Sequence, residues 1–218
     1  MTFSYYDGLT LLTVLLFGAL VSTLGGYSFG LSYRRALFLY GWHTLFALLY
    51  VVVIHQIGGD ALGYYFSSLT QDIPFRLGTD AVSLFTSVFT RGLEFSFLAT
   101  SLVFNIIGTF GLLALDGLLK LAVRKQSIDL KLLASVFVLL PSVSFWSAGL
   151  GKDAISFTAI CLALWSLSGF KRTYWLLGVS VLLMFFVRPH IAGLMIIALS
   201  ATLLTSSAIG WRVKALLF

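Results

Sequence analysis

The sequence has little charge: only 10% of its 218 residues are Asp, Glu, Lys or Arg. A water-soluble domain of this size carries about a quarter. This chain could not cover its apolar surface in water, which excludes a soluble globular fold. Cysteine is almost absent too. The single Cys161 excludes an internal disulfide and lies inside an apolar run, where packing is its expected role. Basic residues are missing from the opening MTFSYYDG, so the first apolar run reads as a retained span and not as a cleavable signal peptide.

What is present is apolar: 59% of residues are hydrophobic and the mean hydropathy is +1.01. The formal net charge of +6 does not indicate a nucleic-acid partner, because the basic residues punctuate apolar runs instead of clustering on a polar module. Seven runs are read, near residues 9–27, 36–57, 95–119, 132–145, 154–170, 174–187 and 191–209. The expected fold is therefore all-α, a polytopic bundle of about seven transmembrane spans forming one domain over 1–218. The fourth, fifth and sixth runs are short for a hydrocarbon core of about 30 Å.

Charge tests this parse. Arg34, Arg35, Lys120, Arg124, Lys125, Lys131, Lys171, Arg172, Arg212 and Lys214 fall on alternate links, so ten of fourteen Lys/Arg residues lie on one side. The positive-inside rule makes that side cytoplasmic, with the N-terminus outside and the C-terminus inside. The exceptions are Arg76, Arg91, Lys152 and Arg188. The one long link, 58–94, falls on the outer side. It is too apolar for a flexible linker and reads as two short amphipathic surface helices separated by Pro74 and Gly78.

Three outer clusters could carry chemistry. The stretch Gly58-Gly59-Asp60-Ala61-Leu62-Gly63-Tyr64-Tyr65 puts an acid and two tyrosines at the exit of the second run. Asp60 is either a carboxylate that accepts a proton or binds a sugar hydroxyl, with Tyr64 and Tyr65 as a platform, or a helix cap beside an interfacial aromatic belt. The stretch 141–153, PSVSFWSAGLGKD, interrupts the fourth and fifth runs with three serines, Trp146, two glycines and the neighbours Lys152 and Asp153. Pro141 should end its run early, and Asp153 suits the positive end of the next helix dipole. Lys152 then needs an anion: Asp153, Asp60 or a substrate phosphate. Between the last two runs, Arg188-Pro189-His190 offers a bidentate phosphate donor and a second donor or proton carrier, unless Arg188 simply snorkels from a tight turn. Short runs around these loops suggest a recessed outward cavity, floored by 142–153 and 188–190 and lidded by 58–94.

Other residues read as structural. His43 and His55 should be packed or interfacial. Asp116 and Lys120 at i, i+4, and Arg91 and Glu94 at i, i+3, should pair along helices. The Gly25–Gly30 stretch suits close helix packing or a turn better than a phosphate loop.

The order of these pieces resembles the membrane glycosyltransferases of the GT-C type and the related polymerases of cell-surface polysaccharides. Asp60, within Gly-Asp-x-x-x-Tyr-Tyr, matches their acid in the first long outer loop; residues 61–92 match their surface helices; PSVSFWSAGLGKD and the later Arg-Pro-His look like motifs of bacterial members. Two departures stand out. The acid follows the second apolar run instead of the first, and the chain is short, as for a minimal member, a fragment or one half of a complex. The resemblance implies an inverting transfer from a polyprenyl-phosphate-linked sugar at the non-cytoplasmic face of a bacterial inner membrane. Asp60 would be the general base. Lys152, Arg188 and His190 would hold the lipid phosphate, and Tyr64, Tyr65 and Trp146 would pack on sugar or isoprenoid, with Ser147 and Asp153 also lining the substrate site. No metal ligands are assigned, though a divalent metal would be compatible with the chemistry; the expected partners are the lipid-linked sugar, membrane lipids and a further membrane subunit. The competing readings are a transporter or flippase, a non-catalytic assembly subunit, and an intramembrane protease pairing Ser147 with His190.

Overall fold

The computed structural model describes residues 5–168 and 170–205. Arg212 and Lys214, with the end of the seventh apolar run, lie outside the described residues, as do the side chains of Lys171 and Arg172. Ten helices make up the described chain: α1 (Tyr5–Ser28), α2 (Tyr33–Ile57), α3 (Asp60–Ser68), α4 (Thr79–Thr90), α5 (Phe97–Ala122), α6 (Ile128–Val138), α7 (Pro141–Ala148), α8 (Lys152–Ser168), α9 (Phe170–Val187) and α10 (Pro189–Thr205). No strand occurs among the described residues. The link 58–94 folds as two short helices, α3 and α4.

The distribution of side chains is inverted relative to a soluble protein. Leu12, Leu16, Phe17, Leu20 and Leu24 of α1 are exposed, as are Leu132, Leu133 and Phe137 of α6. Thr100, Ser101, Asn105, Thr109 and Asp116 of α5 are buried. An apolar exterior of this extent is stable only against lipid, and the chain is a membrane protein. Four helical segments are long and apolar enough to cross a bilayer: α1, α2, α5 and the combined α6–α7 segment Ile128–Ala148. Seven were expected. The other three, α8, α9 and α10, are described over 17, 18 and 17 residues, each up to an edge of the described residues, at the lower end of the about 17–25 that a span uses.

Helix α5 is the axis. Arg35, His43 and His55 of α2 meet Asp116, Asn105 and Phe97 of α5 in that order, so the two helices are antiparallel. The Thr158 hydroxyl of α8 donates to the Ile107 carbonyl and Trp165 lies by Gly117, so α8 runs parallel to α5. Helix α9 returns along α8, from Thr173 beside Ser166 to Arg188 beside Asp153. Small residues allow these approaches. Thr10, Val14, Gly18, Ser22 and Gly26 form the buried stripe of α1, with Gly18 under Tyr40, Gly25 under Phe110 and Gly26 against Ala36. Helix α4 also turns its polar side inward: Ser83, Thr86, Ser87 and Thr90 are buried, while Phe85 and Val88 face out.

One stretch read as a loop is mostly helix. Pro141 does end α6, but it then serves as the first residue of α7, where its fixed φ suits a helix start and its missing N–H is no loss. Only 149–151 is irregular between α7 and α8. Likewise Pro189 starts α10, so the 188–190 turn narrows to Arg188 alone.

Candidate functional site

Two charged clusters mark the two ends of α5. At the basic end, Arg35 places Nε 3.1 Å and Nη2 2.7 Å from the two Asp116 oxygens, and Lys120 Nζ stands 2.9 Å from Oδ2. The Asp116–Lys120 pair was legible as i, i+4. The Arg35 fork, from a residue 81 positions away, was not.

At the opposite end, α3, α4, α8 and α9 bring Asp60, Tyr64, Thr79, Lys152, Asp153 and Arg188 together, with Tyr50 of α2 beneath them. Asp153 is ion-paired with Arg188. Lys152 does not use either acid: Nζ donates to Thr79 Oγ1 at 2.9 Å and lies 5.9 Å from the Tyr64 ring centroid. The start of α4 is tied down by the Gly78 N–H, which donates to the Phe186 carbonyl at 2.8 Å. Gly78 has φ +91, a conformation that a side chain there would oppose. Asp60 is exposed in the first turn of α3 and makes no ion pair or side-chain hydrogen bond among the described residues. Its carboxylate still acts on both Tyr50 and Tyr64. Burial raises the Tyr64 phenol above its ordinary value. The Asp60 and Asp153 carboxylates push the same way, and Arg188 and a hydrogen bond with Thr79 oppose them. The phenol stays protonated at neutral pH.

An apolar groove of about 550 Å³ runs between α4, α5, α8 and α9. Val187 adjoins Arg188, Ile155 lies one turn below Lys152, and Phe75 and Val82 flank Thr79; Phe110 and Leu162 line the far part.

The remaining sequence candidates make no hydrogen bond or ion pair with this cluster among the described residues. Tyr65 places its hydroxyl 3.4 Å from the Phe95 carbonyl and its ring edge-on to Phe97. Trp146 is exposed on α7 against Phe145. His190 is exposed in the first turn of α10 and makes no hydrogen bond or ion pair among the described residues. Ser147 faces inward. The histidine beside it is His43, not His190: His43 Nε2 is 3.0 Å from Ser147 Oγ and Nδ1 is 2.7 Å from Asn105 Oδ1. With Asn105 Nδ2 donating to Thr44 Oγ1 at 2.8 Å, Oδ1 faces the ring, an orientation in which it accepts from Nδ1. The Ser–His–Asn order is one that hydrolases use. Here all three are buried, and Gly108 packs directly against both His43 and the Ser147 backbone. This network joins α2, α5 and α7 and leaves no room for a substrate.

Two smaller expectations resolve simply. His55 is exposed, with Nδ1 on the Val51 carbonyl and its ring against Phe97. Arg91 does not pair with Glu94; Nη1 points to the Gln71 carbonyl at 3.4 Å, because α4 ends before Glu94 and the helical i, i+3 geometry is lost. Missed altogether were Tyr50 and Thr79 in the cluster and Asn105 and Thr109 in the interior. One signal was available: Ser83, Thr86, Ser87 and Thr90 repeat at helical spacing, which in a membrane chain marks a buried face. No group of three or more His, Cys, Asp or Glu side chains able to hold a metal ion occurs among the described residues. Searches with family models, among curated proteins and among solved structures find no match to this chain.

Proposed function

We propose that the chain is a membrane glycosyltransferase or polysaccharide polymerase that takes its sugar from a polyprenyl-phosphate donor at the end of the bundle opposite the basic one. The observation that carries the reading is the continuity of two unlike surfaces. Arg188 follows Val187 directly and Lys152 lies one helical turn from Ile155, and both of those apolar residues line a groove of about 550 Å³; the exposed Asp60 belongs to the same charged cluster. A ligand with a phosphate head, a polar sugar and a long apolar tail matches that sequence of surfaces. In this reading the three shorter helices also cross the membrane. Alternating helix direction and ten of fourteen Lys/Arg residues on alternate links support that topology, with the N-terminus outside and the basic end cytoplasmic, in a bacterial inner membrane.

In the proposed reaction Asp60 takes the proton of an acceptor hydroxyl. That oxygen attacks the anomeric carbon, and the bond to the lipid phosphate breaks with its electron pair on the leaving oxygen. Arg188 and Lys152 balance the phosphate charge, with His190 as a further donor, and the protonated Tyr64 hydrogen-bonds the sugar. Arg188 must then exchange Asp153 for phosphate, which the exposure of that pair permits. The test is sugar transfer from polyprenyl-phosphate donors in proteoliposomes. Asp60→Asn should abolish transfer and leave the unfolding midpoint unchanged; undiminished turnover in that variant sinks the assignment.

A lipid flippase is the second reading. What favours it is the buried polar line at mid-depth, His43, Asn105, Thr109 and Ser147, between the two charged ends. Movement of a fluorescent polyprenyl-phosphate analogue across the bilayer, unaffected by Asp60→Asn and lost in Asn105→Ala, would favour it over transfer.

A further inference from the structure

The basic end holds a second pocket, and we propose that it binds the phosphate of an anionic membrane lipid. The pocket, about 310 Å³, is built from the last turns of α5 and the first turns of α6: Lys120, Arg124 and Lys131 supply the charge, Ser135 a hydroxyl, and Leu119 and Val123 apolar wall. Its volume is near the lower limit for small-molecule sites and suits a headgroup rather than a whole lipid.

Charge bookkeeping leaves the pocket short of anions. Asp116, at its edge, is already held by Arg35 and Lys120. Neither Arg124 nor Lys131 has a carboxylate within ion-pair reach among the described residues. The other nearby acid, Asp129, is two residues from Lys131 on α6 and so points to a different face. Six described cations at this end, Arg34, Arg35, Lys120, Arg124, Lys125 and Lys131, stand against two acids, Asp116 and Asp129. The Ser135 hydroxyl makes no hydrogen bond among the described residues, although a helical serine usually bonds back to its preceding turn.

The positive-inside rule accounts for the number of cations here but not for their convergence. It asks for Lys and Arg anywhere in the link. Three of them around a concave site with apolar walls, at the depth where α5 leaves the bilayer, is the arrangement that receives a lipid phosphate. The glycerol and first acyl carbons would rest on Leu119 and Val123. Free phosphate shares the charge chemistry but gains nothing from those walls. The inference does not depend on the function proposed for the opposite end.

The experiment uses the full chain in nanodiscs of phosphatidylcholine, of phosphatidylcholine mixed with phosphatidylglycerol, and of phosphatidylcholine with inorganic phosphate in the buffer. The readouts are the thermal unfolding midpoint and phosphatidylglycerol retained in native mass spectrometry. Phosphatidylglycerol should raise the midpoint of the wild type and of Lys125→Gln, whose side chain lies outside the pocket. The double variant Arg124→Gln/Lys131→Gln should lose that rise and retain lipid more weakly, by roughly fivefold for each cation removed. Its midpoint in phosphatidylcholine alone should match the wild type, since both side chains are exposed and unpaired, and Ser135→Ala should give a smaller loss of retention. Two outcomes overturn the proposal: an equal rise in the double variant, which reduces the effect to general surface charge, or an equal rise with inorganic phosphate, which makes the site one for soluble anions.

Discussion

Asp116, at the basic end, has a side chain 2% exposed and is gripped by Arg35 and Lys120, whereas Asp153, at the other end, is 51% exposed and meets Arg188 alone. Both acids pair with arginine, but only the second pair can open without stranding a buried charge. The difference separates what holds the bundle from what is free to bind. Burial fixes a pair, because its members have no water to return to. Exposure leaves the partners exchangeable, and the phosphate exchange proposed for Arg188 needs that freedom.

The largest expected effect attacks the buried side of this comparison. Asp116→Ala strands Arg35 and Lys120 and should lower unfolding stability by about 3 kcal/mol, the low end for a broken buried pair because both cations are partly exposed. Asp153→Asn should cost less than about 1 kcal/mol. Thermal unfolding in a single detergent compares the two; equal losses would make both ends structural and remove the argument for an exchangeable Arg188. Next is Gly108→Ala. The new methyl would overlap the Ser147 carbonyl and stand 2.7 Å from His43 Cε1, so α7 must shift. A loss of about 1–3 kcal/mol is expected, and an unchanged midpoint would mean that α7 is loosely held. Ser147→Ala keeps the shape but removes the hydroxyl that His43 contacts. Interhelical hydrogen bonds in membranes contribute about 0.6 to 1.7 kcal/mol, and the loss should fall in that range. An unchanged midpoint would mean that the His43–Ser147 contact does not help to hold α7.

The two ends were not equally legible in the sequence. Composition alone gave the membrane, and the spacing of basic residues picked out the end where Arg35, Lys120, Arg124 and Lys131 gather. Asp60, Tyr64, Lys152, Asp153 and Arg188 were readable as candidates because polar residues are rare in this chain and each of these interrupts an apolar run. Their meeting depends on how α3 and α4 fold back over α8 and α9, which no local pattern states. Thr79 shows the limit: a threonine beside Gly78 carries no signal until the Phe186 carbonyl fixes the turn. The interior was hardest. His43 and Asn105 lie in apolar runs without a local signal, and Ser147, though read as a candidate, was paired with the wrong histidine; Asn105 and Ser147 are 62 and 104 residues from His43, and only packing on α5 joins the three. Helix α7 was misread because a proline signals a break equally well whether a loop or a new helix follows.

The smallest expected effect tests the electrostatics of the exposed end without touching its arginine or lysine. Burial and the carboxylates of Asp60 and Asp153 raise the Tyr64 phenol, so the folded protein holds that proton more tightly than the unfolded chain does. The sign follows. This contribution to stability is complete below the unfolded value of about pH 10 and is lost as pH rises past it toward the folded value. Other tyrosines titrate in the same range, so the wild-type curve alone decides nothing. The difference between wild type and Tyr64→Phe isolates the residue: the wild type should lose stability more steeply than the variant above about pH 10, and the two should run parallel below it. Adding Asp60→Asn to the wild type should flatten the steep part, since one of the two carboxylates acting on the phenol is gone. Parallel curves throughout would mean that neither burial nor the carboxylates raise the Tyr64 phenol, and an Asp60→Asn curve as steep as the wild type's would mean that Asp60 does not reach Tyr64.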